Sequence, residues 1–455
     1  MVADDVPRRW HGIPAGHFED LARGGGGAAV GELVAAQHSK HALLVRAVVD
    51  EAVAHGHPGG GAAEDAYAAL TEVQRRAPEA VAAVVRYPAT GAWALRTAQR
   101  LRAGDGAAVP GRLAGLAAAA AVRGAVALSV RVPREPDGTV HLPSVGVACL
   151  PDGDGAGVEV EVSGDGSALI GGRVRVRPAG GGPVRAVAEV VGGSADQGWT
   201  GVRMVGLGGG FSPVFDDVEP FRFPSGEVRG RLAEGELGEW AGTLRAGWEV
   251  LCRVHPETAS EVVTAVRVLT PLAAPGPGTL SGTARETFGC VALSRPPDAV
   301  AAAAMLAHEI QHAKLTALMD LFPFVTSPSS DRRFYAPWRD DARPVTGLLH
   351  GAYAHLGVAG FWRRQRHEEA DPAEVTAAHT KFARWRDGAA EVTAQLAASG
   401  LLTPAGLRFV LGMAEVLEGW RADPVPAEAA SVARRAAETH RAAWIRRHGR
   451  PVVPG

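Results

Sequence analysis

The sequence predicts an α+β fold, with helices at both ends of the chain and strands between them. Apolar residues recur at helical spacing up to residue 124, alternate with polar residues over much of 125–272, and return to helical spacing over 279–455. These observations divide the chain into a helical N-terminal region (1–124), a β-rich middle region (125–272) and a helical C-terminal region (279–455). The middle region is a candidate for binding a peptide.

Two long helices are predicted in the N-terminal region. Alanine, leucine and valine recur at helical spacing through VGELVAAQHSKHALLVRAVVDEAVA and through DAYAALTEVQRRAPEAVAAVVR. The glycine-rich stretch His55–Gly61 separates the two, because glycine disfavours a continuous helix.

The middle region is predicted to form strands, because its short segments alternate or contain runs of β-branched residues. Turn formers such as Asp137-Gly138 and Gly164–Gly166 separate these segments, and one helix is expected near Leu232–Arg253. The stretch AAPGPG at 273–278 is the candidate hinge before the C-terminal region. The predicted strands are AVALSVRV, VEVEV, GGRVRVRP, RAVAEVV and TAVRVL.

Composition excludes several classes of protein. The chain has 455 residues and a formal net charge of -2, without a block of like charges, so neither nucleic acid nor an anionic membrane is an expected partner. The N-terminal MVADDVPRRW lacks the apolar core of a signal peptide, and the longest apolar run, Leu113–Val122, is too short to cross a bilayer. The three cysteines are distant in sequence and are interpreted as buried free thiols, which indicates a cytoplasmic protein.

The stretch LAHEIQHAKLTALMDLFPF, residues 306–324, contains an HExxH motif. Asp298 is a good N-cap, so we predict a helix from there to about Leu321. At about 100° per residue, His308 and His312 lie about 40° apart on one helix face, and both imidazoles can reach one metal ion. Glu309 projects beside that position and is the catalytic candidate, since a zinc peptidase uses this glutamate as its base. The motif therefore predicts a zincin-like metal helix, and the preceding strand TFGCVALS suits the presentation of an extended substrate.

A third ligand is expected on the following helix, RPVTGLLHGAYAHLGVAGFWRR, because a catalytic metal commonly takes three protein ligands. His350 and His355 lie about 140° apart around that helix, so we expect that they cannot both face the metal helix. His355 shares an apolar stripe with Leu348 and Trp362 and is the predicted ligand. His350 or one of the acidic residues that follow the motif remains the alternative.

The loop between the two helices, DRRFYAPWRDDARP at 331–344, combines aromatic residues with arginines. Arginine can bind a carboxylate through two parallel hydrogen bonds, so Arg339 and Arg343 are candidates for binding an anionic co-substrate. The alternative is an ordinary surface loop with solvated charges. The other residues expected to contribute to cofactor binding are Tyr335, Trp338 and Gln311, whereas Lys314 is expected to face away from the metal.

Three segments together resemble a known family. SGTARETFGCVALSRPPDAVAAAAMLAHEIQHAKL, then YAPWRDDARP and GLLHGAYAHLGV, are similar to the HExxH motif-containing proteins of actinobacterial ribosomal-peptide gene clusters. The resemblance covers about 280–365 and includes the family's YAH at Tyr353–His355 and its APWR at Ala336–Arg339. It is looser over AAQHSKHALLVRAV, and the β-rich middle region does not align.

The resemblance implies an Fe(II)- and 2-oxoglutarate-dependent oxygenase that hydroxylates the β-carbon of a residue in a ribosomally synthesised precursor peptide. It also implies that Arg339 or Arg343 holds the distal carboxylate of 2-oxoglutarate, and that a radical-SAM enzyme of the same pathway is a partner. Glu309 would then orient a metal ligand or the substrate. Two alternatives stay open: a zinc-dependent HExxH metallopeptidase, and a non-catalytic, metal-containing protein that binds a peptide.

Overall fold

The computed structural model of the protein describes residues 12–150, 156–179, 185–190, 198–274, 276 and 278–449. The chain is an α+β protein with 57% helix and 13% strand, and its helices lie at both ends with sheets in the middle, as predicted. Among the described residues, no helix is long and apolar enough to cross a membrane. The N-terminal MVADDVPRRW and part of the predicted hinge at 273–278 lie outside the described residues.

The contacts within the chain define two compact units, and each unit is built from separate stretches of sequence. Unit 1 comprises the residues up to Ala36, Ala246–Ala265 and the residues from Asp298 onwards. Unit 2 comprises Gln37–Arg245 and Val266–Pro297. The three regions predicted above follow the secondary structure along the chain, whereas the two units group residues by their contacts.

The N-terminal region is helical, as its apolar spacing indicates. One predicted helix is in fact two, because Pro78 lacks the amide hydrogen that a helix interior needs and forces a break at Ala77, whose φ is -140°. The run Leu113–Val122 is not a membrane segment but a core helix whose residues are all buried. The described helices of this region are α1 (Ala15–Ala22), α2 (Ala28–Ala54), α3 (Gly60–Arg76), α4 (Pro78–Val85), α5 (Pro88–Arg102) and α6 (Leu113–Gly124), with a 3-10 turn at Pro110–Arg112.

The middle region forms a strand within each predicted segment, although TAVRVL begins in helix at Thr264 and Ala265 and becomes a strand only at Val268. The segments around Gly138 and Gly164–Gly166 are turns. The described strands are β1 (Leu128–Pro133), β2 (Thr139–Leu142), β3 (Gly146–Cys149), β4 (Gly157–Val162), β5 (Ala168–Ile170), β6 (Val174–Ala179), β7 (Arg185–Val190), β8 (Trp199–Gly201), β9 (Arg203–Met204), β10 (Val214–Phe215), β11 (Val268–Pro271), β12 (Ser281–Gly282) and β13 (Cys290–Leu293).

These strands make three sheets. One is an antiparallel sheet in the order β1-β4-β5-β6-β7, and α6 packs against its first strand. A three-stranded sheet has the order β2-β3-β8, and a mixed sheet has the order β12-β13-β11-β10-β9. The buried side chains of α3, α4, α6 and the first sheet form the main core of unit 2.

The strand before the metal helix exists, but it is not an open edge. β13 pairs in parallel with β11 along its whole length and antiparallel with β12 at its end, and all four of its residues are buried. Ala292 and Leu293 are therefore paired on both sides, and Cys290 and Val291 are paired on one side and buried. This leaves little open edge on β13 to which an extended peptide could add.

Two helices, not one, interrupt the strands of the middle region. The predicted helix near Leu232–Arg253 is α7 (Glu234–Val254), and a second helix, α8 (Pro256–Ala265), follows it directly. The sequence of α8, PETASEVVTA, was not predicted as helix because threonine and valine make it resemble a strand. Pro256 begins it at a favourable first-turn position.

The C-terminal region is helical, and the helix that carries the HExxH motif has the predicted bounds. The side chain of Asp298 accepts a hydrogen bond from the amide of Ala301 at 2.7 Å, so it is the N-cap. The helices are α9 (Ala299–Leu321), α10 (Val345–Gln365), α11 (Pro372–Ala397), α12 (Pro404–Gly419) and α13 (Ala427–His448), and further 3-10 turns lie at Arg285–Thr287 and Trp420–Ala422.

The cysteines are free, as predicted, but only one of them is buried. Cys149 and Cys252 are exposed, which corrects the expectation of three buried thiols. Cys290 is enclosed in the mixed sheet, where burial raises the pKa of its thiol to about 12.

Candidate metal centre

The two histidines of the HExxH motif form a pair on α9. Their Nε2 atoms lie 3.1 Å apart, and the rings meet edge to face with centroids 4.7 Å apart. Two imidazoles bound to one ion at about 2.1 Å, at an angle of roughly 90–109°, would place their nitrogens about 3.0–3.4 Å apart. His308 and His312 therefore have the spacing of two ligands of one metal, although the same distance also allows a hydrogen bond.

Both rings of this pair are neutral at physiological pH. Burial lowers the pKa of His308 to about 4. Burial lowers the pKa of His312 well below its ordinary value, and repulsion from the other histidines nearby adds to the effect. The neutral imidazole is the form that binds a metal ion, so the pair offers lone pairs without first losing a proton.

His355 of α10 is the third histidine of the cluster. Its ring centroid lies 5.5 Å from that of His308. Its Nδ1 lies 2.9 Å from the carbonyl oxygen of Gly351. Because that oxygen can only accept, Nδ1 carries the proton and Nε2 keeps its lone pair. Burial and the neighbouring His308 lower the pKa of His355 to about 3, so this ring is neutral as well.

Aromatic rings hold His355 in place. Trp338 stacks on it with centroids 4.0 Å apart and planes inclined by 10°, and Trp385 of α11 lies 5.0 Å away. Trp338 comes this close to α10 because residue 351 is glycine, and a Cβ there would lie 2.4 Å from the indole nitrogen. Trp338 is thus a predicted site residue that the structure brings to the cluster. Trp385 is one that the sequence analysis missed, since nothing in its local sequence links it to the motif.

His350 also faces the cluster, which corrects the angular argument made from the sequence. Its ring lies 5.8 Å from that of His312, whereas the ring of His355 lies 5.5 Å from that of His308. The two side chains of α10 thus each reach a different histidine of α9, and the two helices pack against each other. The prediction that His350 and His355 cannot both face the metal helix is therefore wrong.

Glu309 lies beside the pair and is almost fully enclosed. Its side chain is 1% exposed, and its Oε1 lies 3.8 Å from Nε2 of His308. A carboxylate at this distance is close enough to act on a group held by the histidines or to fix the orientation of a ring.

The two predicted arginines hold a carboxylate of their own loop. Nε of Arg339 donates to Asp341 at 2.7 Å, and a terminal nitrogen of Arg343 donates to the same carboxylate at 2.9 Å. Desolvation alone would raise the pKa of Asp341, but the hydrogen bonds from Arg343 and Arg339 lower it to about 2. Asp341 therefore accepts the hydrogen bonds from both arginines that the carboxylate of a ligand would accept.

Tyr335 and Gln311 were also predicted to contribute to cofactor binding, but their described contacts are with residues outside the histidine cluster. Tyr335 is buried against α13, where its hydroxyl lies 2.9 Å from Nδ1 of His440 and its ring packs on Trp444. Gln311 donates to the carbonyl oxygen of Gly24 at 3.0 Å. These contacts give no support to a part for either residue in cofactor binding.

A buried ion pair anchors α9 on another side. Nζ of Lys314 donates to Glu261 of α8 at 2.7 Å and to the carbonyl oxygens of Gly24 and Gly25 at 3.0 and 2.8 Å. The side chains of Lys314 and Glu261 are only 1% and 5% exposed. This contact was not predictable from local sequence, because Lys314, Glu261 and the Gly24-Gly25 pair belong to three distant stretches of the chain.

The donor set fits a divalent metal ion only in part. Within the part of the chain that the structure describes, no group of three or more His, Cys, Asp or Glu side chains has the spacing of a formed metal site. Rings bound to one ion would have centroids roughly 4.5–5.2 Å apart. The pair of α9 meets that spacing, and the separation of 5.5 Å between His308 and His355 exceeds it slightly. His308 and His312 therefore have the spacing of two metal ligands, and His355 lies beside His308 without completing a three-ligand site.

Compared with protein-family models and with curated proteins, the chain matches none of them.

Proposed function

We propose that the protein is an Fe(II)- and 2-oxoglutarate-dependent oxygenase that hydroxylates the β-carbon of a residue in a ribosomally synthesised peptide. The observation that carries this proposal is the cluster of neutral imidazoles, in which two Nε2 atoms lie 3.1 Å apart and His355 presents a third. Imidazole nitrogen suits Fe(II), and three protein ligands leave coordination positions for a co-substrate and for oxygen. The resemblance described above supplies the choice of reaction and of peptide.

In this proposal His308, His312 and His355 hold the iron. Bound Fe(II), with 2-oxoglutarate and oxygen, supplies the oxidising power to hydroxylate an unactivated C–H bond. The carbonyl of Gly351 keeps the proton of His355 on Nδ1, and the stack with Trp338 fixes the plane of the ring. These contacts orient the third ligand before any ion binds, which lowers the entropic cost of binding.

The arginine pair is the proposed site for the distal carboxylate of 2-oxoglutarate. Arg339 and Arg343 now share Asp341, so the co-substrate would have to displace that carboxylate from at least one of them. The side chain of Asp341 is 49% exposed, so its release into water costs little. Asp341 would then compete with the co-substrate.

The resemblance also suggests the setting of the reaction. We infer a cytoplasmic enzyme that acts on a precursor peptide, alongside a radical-SAM enzyme of the same pathway. The peptide is not expected to add to β13, because the strand is buried, is paired with β11 along its length and is paired with β12 over Ala292 and Leu293.

A zinc peptidase is the second candidate, and the position of Glu309 favours it. This buried carboxylate lies 3.8 Å from His308, where the general base of such an enzyme is needed. Two observations count against hydrolysis. No acidic residue occurs in α10, where a third glutamate ligand is expected, and the buried, largely paired β13 offers little edge for a substrate strand.

An anaerobic titration of the purified protein tests the proposal. Fe(II) followed by 2-oxoglutarate should give a weak visible charge-transfer band, and aerobic turnover should produce succinate. His355→Ala should weaken iron binding strongly, whereas His350→Ala, its matched control on the same helix, should leave the affinity nearly unchanged. Protein that retains zinc through purification and gives no such band would refute the oxygenase and favour the peptidase. Equal losses in the two variants would refute His355 as the third ligand while leaving the function open.

A further inference from the structure

A second candidate site lies in unit 2, within a cavity of about 330 Å³. The cavity is located where β9, β10 and the start of β11 lie side by side. Three arginines line it: Arg86 at the end of α4, Arg123 in α6 and Arg267 just before β11. They come from distant parts of the sequence, so the fold itself brings these cations together.

Among the described residues, carboxylates balance only part of the charge of this arginine cluster. Glu79 is the only carboxylate among the described lining residues, and none of the three guanidinium groups forms an ion pair within the described ranges. Arg86 and Arg267 are exposed and Arg123 is half-buried, whereas the buried Arg112 of the same unit is paired with Glu219 at 2.6 Å. Desolvation lowers the pKa of both Arg123 and Arg267, and nearby Arg86 lowers that of Arg267 further. Arginine nevertheless stays protonated, so the cavity carries excess positive charge.

A strained serine lines the same cavity. Ser144 has a φ of 68°, a conformation that costs free energy for a residue other than glycine. It is 5% exposed, and its buried Oγ has no hydrogen-bond partner among the residues that the structure describes. Its carbonyl oxygen accepts a hydrogen bond from Arg123 at 3.4 Å. A buried hydroxyl without a partner is costly, and a ligand oxygen would satisfy it.

We propose that this cavity binds the oxyanion group, a carboxylate or a phosphate, of a small organic anion. The guanidinium groups match either oxyanion, and the hydroxyl of Ser144 can donate to it. Met204 and Val214 add apolar surface, so the cavity also suits a ligand with a short apolar body. The proposal concerns residues of unit 2 only and does not depend on the proposed oxygenase.

The test is a titration of the full-length protein, by calorimetry and thermal denaturation, with inorganic phosphate, acetate and hexanoate at constant ionic strength. We expect saturable binding of at least one of these anions, with chloride giving none. Tighter binding of hexanoate than of acetate identifies a carboxylate with an apolar body as the ligand, and tightest binding of inorganic phosphate identifies a phosphate. Absence of saturable binding for all three would overturn the proposal.

Three variants locate the site. Arg267→Gln should weaken anion binding about ten- to hundredfold, the range for a lost charge-assisted hydrogen-bond pair. Arg75→Gln, an exposed arginine of α3 paired with Glu72, removes the same charge elsewhere and should leave binding unchanged. Ser144→Gly should bind anions more weakly yet be at least as stable without them, because glycine adopts the positive φ freely. Equal binding by the wild type and Arg267→Gln would show that the anion sits elsewhere and refute the assignment.

Discussion

Replacing Lys314 by methionine should destabilise the protein severely although it leaves every histidine in place. Methionine keeps the length and most of the volume of the side chain but removes the ammonium group that contacts Glu261, Gly24 and Gly25. The carboxylate of Glu261 would then remain enclosed, at 5% exposure, without a compensating charge.

The magnitude follows from that burial. Removing one partner of a buried ion pair typically costs about 3–5 kcal/mol, because the remaining charge stays desolvated. The carbonyl of Gly25 also loses a donor, whereas that of Gly24 keeps the hydrogen bond from Gln311, so this loss adds less than the about 1–3 kcal/mol of a fully buried unpaired group. Since these terms are not additive, we expect a loss of about 4 kcal/mol. The double variant Lys314→Met/Glu261→Met should be more stable than Lys314→Met alone, because it leaves no unpaired carboxylate.

Denaturant unfolding followed by tryptophan fluorescence and circular dichroism measures these differences. The control is Arg253→Met, since Arg253 pairs with Glu368 in the same unit while its side chain is 64% exposed. That variant should lose less than about 1 kcal/mol. If Lys314→Met were no more costly than this control, or if the double variant were the least stable of all, the buried pair would not be the anchor described here.

Three further predictions concern single side chains. Glu309→Gln should retain part of its 2-oxoglutarate turnover, measured as succinate. If the variant instead loses roughly 10²–10⁴-fold in the rate of peptide hydrolysis, Glu309 is the general base of a peptidase. Asp341→Asn should lower the KM for 2-oxoglutarate, because it releases the two arginines, and an unchanged KM would exclude them from co-substrate binding. Burial, together with nearby Arg112, lowers the pKa of His141 to about 4, below the ordinary 6.5. The unfolded chain therefore takes up the proton first, and stability should fall by about 3 kcal/mol as the pH drops from 6.5 to 4. His141→Gln should flatten the curve of unfolding free energy against pH by that amount. The control is His55→Gln, because His55 is an exposed histidine directly after α2.

Local features of the site were predictable from the sequence. The bounds of α9 follow from a capping carboxylate at Asp298 and a proline after its end, and the pairing of His308 with His312 follows from helix geometry alone. The contribution of Trp338 to the cluster was also predictable, because this residue lies in the loop that joins α9 to α10. Each of these depends on residues that are close together in the chain.

Features that depend on packing were not predictable in the same way. The helical angle between His350 and His355 did not decide which of them faces α9, because their rings lie near two different histidines of α9, His312 and His308. Gln311 borders the metal face by its angle, yet it bonds to Gly24, some 290 residues earlier. The helix α8 was missed because its threonines and valines suit a strand equally well, and its packing against α9 favours the helix.

The discontinuous composition of unit 1 has a consequence for the order in which it can assemble during synthesis. A ribosome releases Gly24 first, Glu261 much later, and Lys314 only after all of unit 2 has emerged. α9 can therefore assume its anchored arrangement only after residue 314 has emerged, when the earliest segment meets two much later ones. For this reason the region 279–455, which carries all four histidines of the cluster, is not expected to fold independently as a fragment. Expressed alone, it would leave the ammonium group of Lys314 without Glu261, Gly24 and Gly25, the partners that hold α9.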